Sequence, residues 1–103
     1  MKPIDRKKVY IFFWGTNSSL GPSTAARRVD LSDTSGAALG SLYFYSEGAT
    51  IPNDFTKDGQ TFMHRPLSDY EDIVSFIQGS TGDVYFAFDS AGNNYGYISN
   101  HLY

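Results

Sequence analysis

Cysteine is absent from this 103-residue chain. That excludes disulfide staples, a thiolate nucleophile and any zinc site built on sulfur, and it fits a reducing compartment such as the cytoplasm. Histidine is scarce, with only His64 and His101. Two imidazoles make no metal site without carboxylate help. Cations are missing from the last part of the chain: no Lys or Arg follows Arg65, whereas Asp69, Glu71, Asp72, Asp83 and Asp89 do. A duplex-binding protein carries the reverse, a basic stripe on its folded part, so the charge pattern argues against a nucleic-acid partner. Long apolar runs are also lacking. The stretch Val9–Trp14 follows a basic head but spans only six residues, too short for a secretory signal core or a membrane span. Without export, the glycosylation sequon at Asn17-Ser18-Ser19 has no consequence.

What is abundant is aromatic. Phe, Trp and Tyr make up 17% of the residues, with eight Tyr and eight Phe, a composition that favours strands. Charged residues are only 18%, so the chain can bury enough apolar surface to fold. The length supports one domain over residues 1–103. The net charge of −3 is uneven. Lys2, Arg6, Lys7 and Lys8 outnumber Asp5 in residues 1–8, leaving −6 for the rest. Residues 1–7 are expected to be a loosely ordered, solvated basic end.

The best-specified element is a hairpin over residues 83–99. Alternating apolar residues run into Ser90-Ala91-Gly92, a turn that Gly92 would close in the left-handed region, and a second aromatic run leaves it. Pairing Asp89 with Asn93 sets Val84, Phe86, Phe88 and Ile98 on one face and Tyr85, Ala87, Tyr95 and Tyr97 on the other. The first is the core face. The second is amphipathic, because each tyrosine joins a large apolar body to a polar tip.

Earlier in the chain, Lys8–Trp14 is apolar on both sides and is expected as a strand placed centrally in the sheet or covered on both sides. Gly15–Ser23 is a loop, Ala25–Ser32 a strand, Asp33–Gly36 a turn and Ala37–Ser46 the return strand, with a bulge at Gly40. Phe55–Phe62 is a compact hairpin around Asp58-Gly59, which suits a type I′ turn and places Phe55 opposite Phe62 and Thr56 opposite Thr61. One helix is expected at about 69–78. Tyr70, Ile73, Val74 and Ile77 form an apolar stripe. Ser68 and Glu71 read as a capping box, Asp69, Glu71 and Asp72 suit the first turn, and Gly79 is a stop. These elements make an α+β fold: a mostly antiparallel, twisted sheet of about five to seven short strands with one short helix on one face.

Chemical motifs fail one by one. No Gly-x-Ser-x-Gly elbow accompanies the histidines. The segment from Asp54 begins like a calcium loop but has Thr56 at its third position and Arg65 at its twelfth. Gly21–Thr24 and Gly79–Gly82 lack the Gly-Lys-Ser/Thr of a phosphate loop. The acids at 69, 71 and 72 already have a structural reason at a helix start. No catalytic residue, cofactor or metal ligand is therefore assigned.

The remaining candidate is a partner-binding patch of Tyr85, Tyr95 and Tyr97 flanked by Asp83 and Asp89, since tyrosine gives contact area at small entropic cost. The expected function is that of a small non-enzymatic binding protein occupying a protein partner with a basic surface. An intracellular inhibitor or immunity-type protein of a virus or mobile element is the type that fits. One alternative is a self-associating, virion-type assembly subunit using the same sheet or its edge strand. The other is a ligand binder or hydrolase using His64 or His101 with a carboxylate.

Overall fold

The computed structural model describes residues 3–13, 25–89 and 95–100. Seven strands and one α-helix are found among them: β1 (Tyr10–Phe13), β2 (Ala25–Ser32), β3 (Ala38–Tyr45), β4 (Phe55–Lys57), β5 (Gln60–Pro66), α1 (Tyr70–Gly79), β6 (Tyr85–Asp89) and β7 (Tyr95–Ser99). The first five strands form one sheet in the order β1-β2-β3-β5-β4, and β6-β7 form a separate antiparallel pair. The fold is α+β and mostly antiparallel. The exception is β3 against β5, which run parallel. That pairing follows from the β4–β5 hairpin. The longer arm, carrying Met63 and His64, takes the inner position, and the short, fully exposed β4 is left at the rim.

The β4–β5 turn is built as its sequence demands. Asp58 and Gly59 both have positive φ, 54° and 78°, the type I′ signature, and Phe55 pairs with Phe62 and Thr56 with Thr61. At the other tight turn, Asp33 is buried. Its Oδ1 accepts from Ser35 N (2.9 Å), Ser35 Oγ (2.6 Å) and Ala37 N (3.0 Å). Gly40 has φ +145°, and a Cβ there would lie 1.8 Å from the Thr61 carbonyl oxygen. Only glycine lets β3 approach β5 this closely. The pairing of β2 with β3 shifts beside it, between Leu31 and Ser32.

The core lies on one face of the large sheet. Val29 and Leu31 from β2, Leu42 and Phe44 from β3 and Met63 from β5 meet Val74 and Ile77 of α1 and Val84 and Phe86 of β6. The basic end joins this core, because Ile4 is buried. Its N–H donates to Val84 O (2.7 Å), and Asp5 N–H donates to Ser32 O (2.8 Å), so Pro3–Asp5 bridge the two sheets. A 3₁₀ turn over Arg6–Lys8 follows, with Lys7 N–H bonded to the Asp5 carboxylate.

Three expectations are corrected. The segment expected as a central strand is the edge strand β1, and all four of its residues are exposed. The second layer sits over β2, β3 and β5, and toward β1 the Tyr70 ring meets Arg27 of β2, whose guanidinium also lies over Phe13. The capping box does not form. The chain enters α1 through a 3₁₀ turn, Leu67–Asp69, and the N-cap residue Asp69 makes no side-chain cap bond. The hairpin register is shifted by two: Asp89 pairs with Tyr95, Ala87 with Tyr97 and Phe86 with Ile98. A shift of two preserves the side-chain faces. The expected turn at Ser90–Gly92 falls outside the described residues, as do the Gly15–Ser23 loop and His101.

Candidate functional site

The observed register places Tyr85, Ala87, Asp89, Tyr95 and Tyr97 on one face of the β6–β7 hairpin. Tyr95 is 40% exposed, and Tyr85 and Tyr97 are half-buried. The rings of Tyr95 and Tyr97 lie 6.0 Å apart at 54°, with Asp89 directly across from Tyr95. Tyr85 stands at the far end of the hairpin. It pairs with Pro3, and its hydroxyl donates to the exposed Asp83 carboxylate at 3.4 Å. The five residues thus form two groups: Asp89, Tyr95 and Tyr97, and separately Asp83 with Tyr85.

The first group borders a groove of about 390 Å³ between β7 and α1. From the helix come Ile73, Asp72 and Phe76, the last 37% exposed. Arg65 and Gly96 lie at its base. The groove is mainly apolar, with one cation and one anion facing it. A larger cleft of about 690 Å³ lies between residues 46–51 and Pro66–Ser68, with Glu47 the only charged residue along its walls among the described residues.

A buried polar knot fixes the base of the β7 groove. Asp54, immediately before β4, accepts from His64 N–H (2.8 Å) and Arg65 Nη1 (2.9 Å) through Oδ1, and from Gly96 N–H (2.6 Å) through Oδ2. Arg65 in turn donates to His64 O (2.7 Å) and Gly96 O (2.8 Å). The carboxylate and guanidinium therefore neutralise each other while satisfying backbone groups of β5 and β7. Gly96 is required by space: a Cβ would lie 2.3 Å from Met63 Cγ. This knot ties β7 to β5 from outside the hairpin through Gly96. In the sequence Asp54 reads only as the first position of a failed calcium loop, and no local signal links it to residue 96.

His64 is buried with the knot. It is only 6% exposed. Its ring is stacked with Tyr43 (5.6 Å, 11°) and Phe55 (5.5 Å, 27°) and tilted against Tyr45. Nδ1 lies 3.6 Å from Asp54 Oδ1 and has no hydrogen-bond partner. Burial lowers the imidazole pKa below 6.5. Asp54 and the Asn53 backbone oppose that shift, and Arg65 adds to it. Burial also raises the Tyr45 phenol above its ordinary value, with Tyr43 adding to the shift. The arrangement is a neutral imidazole packed among rings. A general base needs the opposite, an imidazole within reach of a substrate proton. Among the described residues no group of three or more His, Asp or Glu side chains is disposed to hold a metal ion.

A second aromatic surface escaped the sequence reading. On the face of the large sheet turned away from the core, Phe12, Arg28, Tyr43 and His64 form one cross-strand row, and Tyr10, Asp30, Ser41, Phe62 and Phe55 the next. Arg28 stacks on Phe12 at 4.2 Å and pairs with Asp30 at 3.0 Å, and Ser41 Oγ donates to Asp30 (2.7 Å). The missed signal was strand order, which local patterning does not carry. No helix among the described residues is long and apolar enough to cross a membrane. Comparison with protein-family models, with curated proteins and with solved structures found no match.

Proposed function

We propose that this is a small non-enzymatic binding protein that acts by occupying a protein partner through the β7–α1 groove. The observation that carries the reading is the convergence of Tyr95, Tyr97 and Phe76 around one apolar groove whose base is held by buried hydrogen bonds. Rigid aromatic side chains beside a pocket are the usual source of interface energy. Asp72 and Asp89 stand beside these rings, and no Lys or Arg follows Arg65, so the partner has a basic surface and charge steers the encounter. The small, cysteine-free chain with an acidic C-terminal part fits an intracellular inhibitor or immunity-type protein. His64, packed among rings, gives the hydrolase reading no support.

The test is capture of the partner from the native host by wild-type protein and by Tyr95→Ala and Phe76→Ala variants. Both side chains are more than a third exposed, so the variants are expected to remain folded with a modest drop in the unfolding midpoint. Each should weaken the captured complex about tenfold or more, the scale of an interface hot spot. A partner that binds both variants as tightly as wild type refutes the assignment of the groove.

A further inference from the structure

The β7–α1 groove is unbalanced in charge. Arg65 and Asp72 both line it, but the Arg65 guanidinium is already engaged, donating to the Asp54 carboxylate, His64 O and Gly96 O. Asp72 is exposed and makes no ion pair with any described residue. The groove therefore sets an uncompensated negative charge beside apolar walls. Three of its residues are aromatic. The Tyr95 and Tyr97 rings stand 6.0 Å apart at 54°, and Phe76 lines the helix side. Elsewhere the chain supplies cations to its own rings, with Arg27 over Phe13 and Tyr70 and Arg28 over Phe12. No cation of the described residues lies over Tyr95 or Phe76.

We propose that the groove takes a lysine side chain of the protein partner, its ammonium set against the Tyr95, Tyr97 and Phe76 rings and paired with Asp72, its methylene stem laid along Ile73 and Ile98. This deepens the groove reading given above and rests on it. A ring face attracts a cation through its quadrupole, more strongly where water is excluded. The carboxylate adds a charge-assisted hydrogen bond. Lysine suits the site better than arginine. A guanidinium is a plate that lies flat on a ring, as Arg28 lies on Phe12, and two rings tilted by 54° leave no parallel slot for it. An ammonium is compact and indifferent to the tilt. Its four-carbon stem covers apolar wall while the charged head stays at the polar rim. A volume of about 390 Å³ is at the small end of ligand pockets, which suits one inserted side chain. An acidic side chain would meet Asp72 with like charge, and a purely apolar one would desolvate that carboxylate without giving it a partner.

Three small probes test this on the free protein: Nα-acetyl-lysine amide, its norleucine counterpart, which keeps the stem and drops the ammonium, and its arginine counterpart. In NMR titrations the lysine probe should move the resonances of Phe76, Tyr95 and Gly96, with an affinity in the millimolar range. The norleucine probe should bind about fivefold or more weakly, the scale of a cation–π contact, and the arginine probe should also bind less tightly than lysine. Asp72→Asn removes the charge and keeps the shape. Tyr95→Leu removes the ring and keeps apolar bulk. Both positions are exposed, so the variants should fold, and each should lower the lysine-probe affinity about threefold or more. Norleucine binding as tightly as lysine, arginine binding more tightly, shifts confined to another surface, or either variant holding the lysine probe like wild type overturns the proposal. Partner capture separates this pocket from the groove reading. Capture lost in Tyr95→Ala, with no binding of the lysine probe, overturns the lysine pocket and leaves the groove reading standing. Capture unchanged in Tyr95→Ala overturns the groove reading and the partner's lysine with it.

Discussion

Asp54 accepts three hydrogen bonds in the folded chain, and each donor belongs to a group that is costly to bury alone. Asp54→Ala leaves the Arg65 guanidinium without its counter-ion and the Gly96 and His64 amides without acceptors. Loss of one partner of a buried ion pair costs about 3–5 kcal/mol, a large share of a small domain's stability, and urea unfolding should read a drop on that scale. The two crowded glycines should differ. Gly40→Ala drives a Cβ into the Thr61 backbone, which cannot yield without parting β3 from β5, whereas Gly96→Ala meets the flexible Met63 side chain. The midpoint should therefore fall much further for Gly40→Ala, while Gly96→Ala should cost about 1–3 kcal/mol, the usual range for overpacking. At His64 the sign follows from burial. The folded-state pKa lies below the 6.5 of the free side chain, so the folded state binds fewer protons. Its contribution is complete above 6.5 and declines as pH falls through that value toward the lower folded pKa. Wild type should lose more stability than His64→Phe between about pH 7 and about pH 5.5, as read by urea titration at each pH.

Elements were legible where their cause is local. Asp58-Gly59 dictates a turn and, through it, the pairing of Phe55 with Phe62. The stripe of Tyr70, Ile73, Val74 and Ile77 dictates a helix and its buried side, and Ala25–Ser32 alternates as an edge-to-core strand should. What failed depended on distant partners. Apolar residues on both faces of Val9–Trp14 suggest covering layers, but only the tertiary arrangement decides whether a layer extends that far. The β6–β7 register was assigned from turn chemistry and is shifted by two in the structure, where β7 is also anchored at Gly96 by Asp54 and Arg65, contacts that no local pattern carries. At the start of α1, Pro66 leads into a 3₁₀ turn that leaves Ser68 without a capping role. Ser68→Ala should accordingly change stability by less than about 0.5 kcal/mol, well short of the roughly 1 kcal/mol of a lost N-cap. Ile77→Ala, at a fully buried position, should cost about 2–5 kcal/mol. Thermal or urea unfolding of the two variants checks both.

Across the whole molecule, charge is divided. Arg6, Lys7, Lys8, Arg27 and Arg28 lie on or beside the β1–β2 margin, and Asp69, Glu71, Asp72, Asp83 and Asp89 lie on and around the helix and hairpin. The division was visible in the sequence as a basic head and an acidic tail, but its placement on separate surfaces needed the strand order. A partner met through the acidic side should associate more slowly as salt rises, while the dissociation rate changes little, because screening acts on the encounter. Stopped-flow binding at several ionic strengths reads this directly.

The bridge made by Pro3–Asp5 also bears on how the chain reaches its native state. Ile4 bonds to Val84, eighty positions away, so that closure carries the large entropic cost of a distant contact. Ile4 also pairs with Asp33 beside β2, but its bond to Val84 cannot form until the β6 end of the chain is in place. The joining of the two sheets therefore belongs among the last folding events, and shortening the chain ahead of Asp5 should accelerate unfolding far more than it slows collapse.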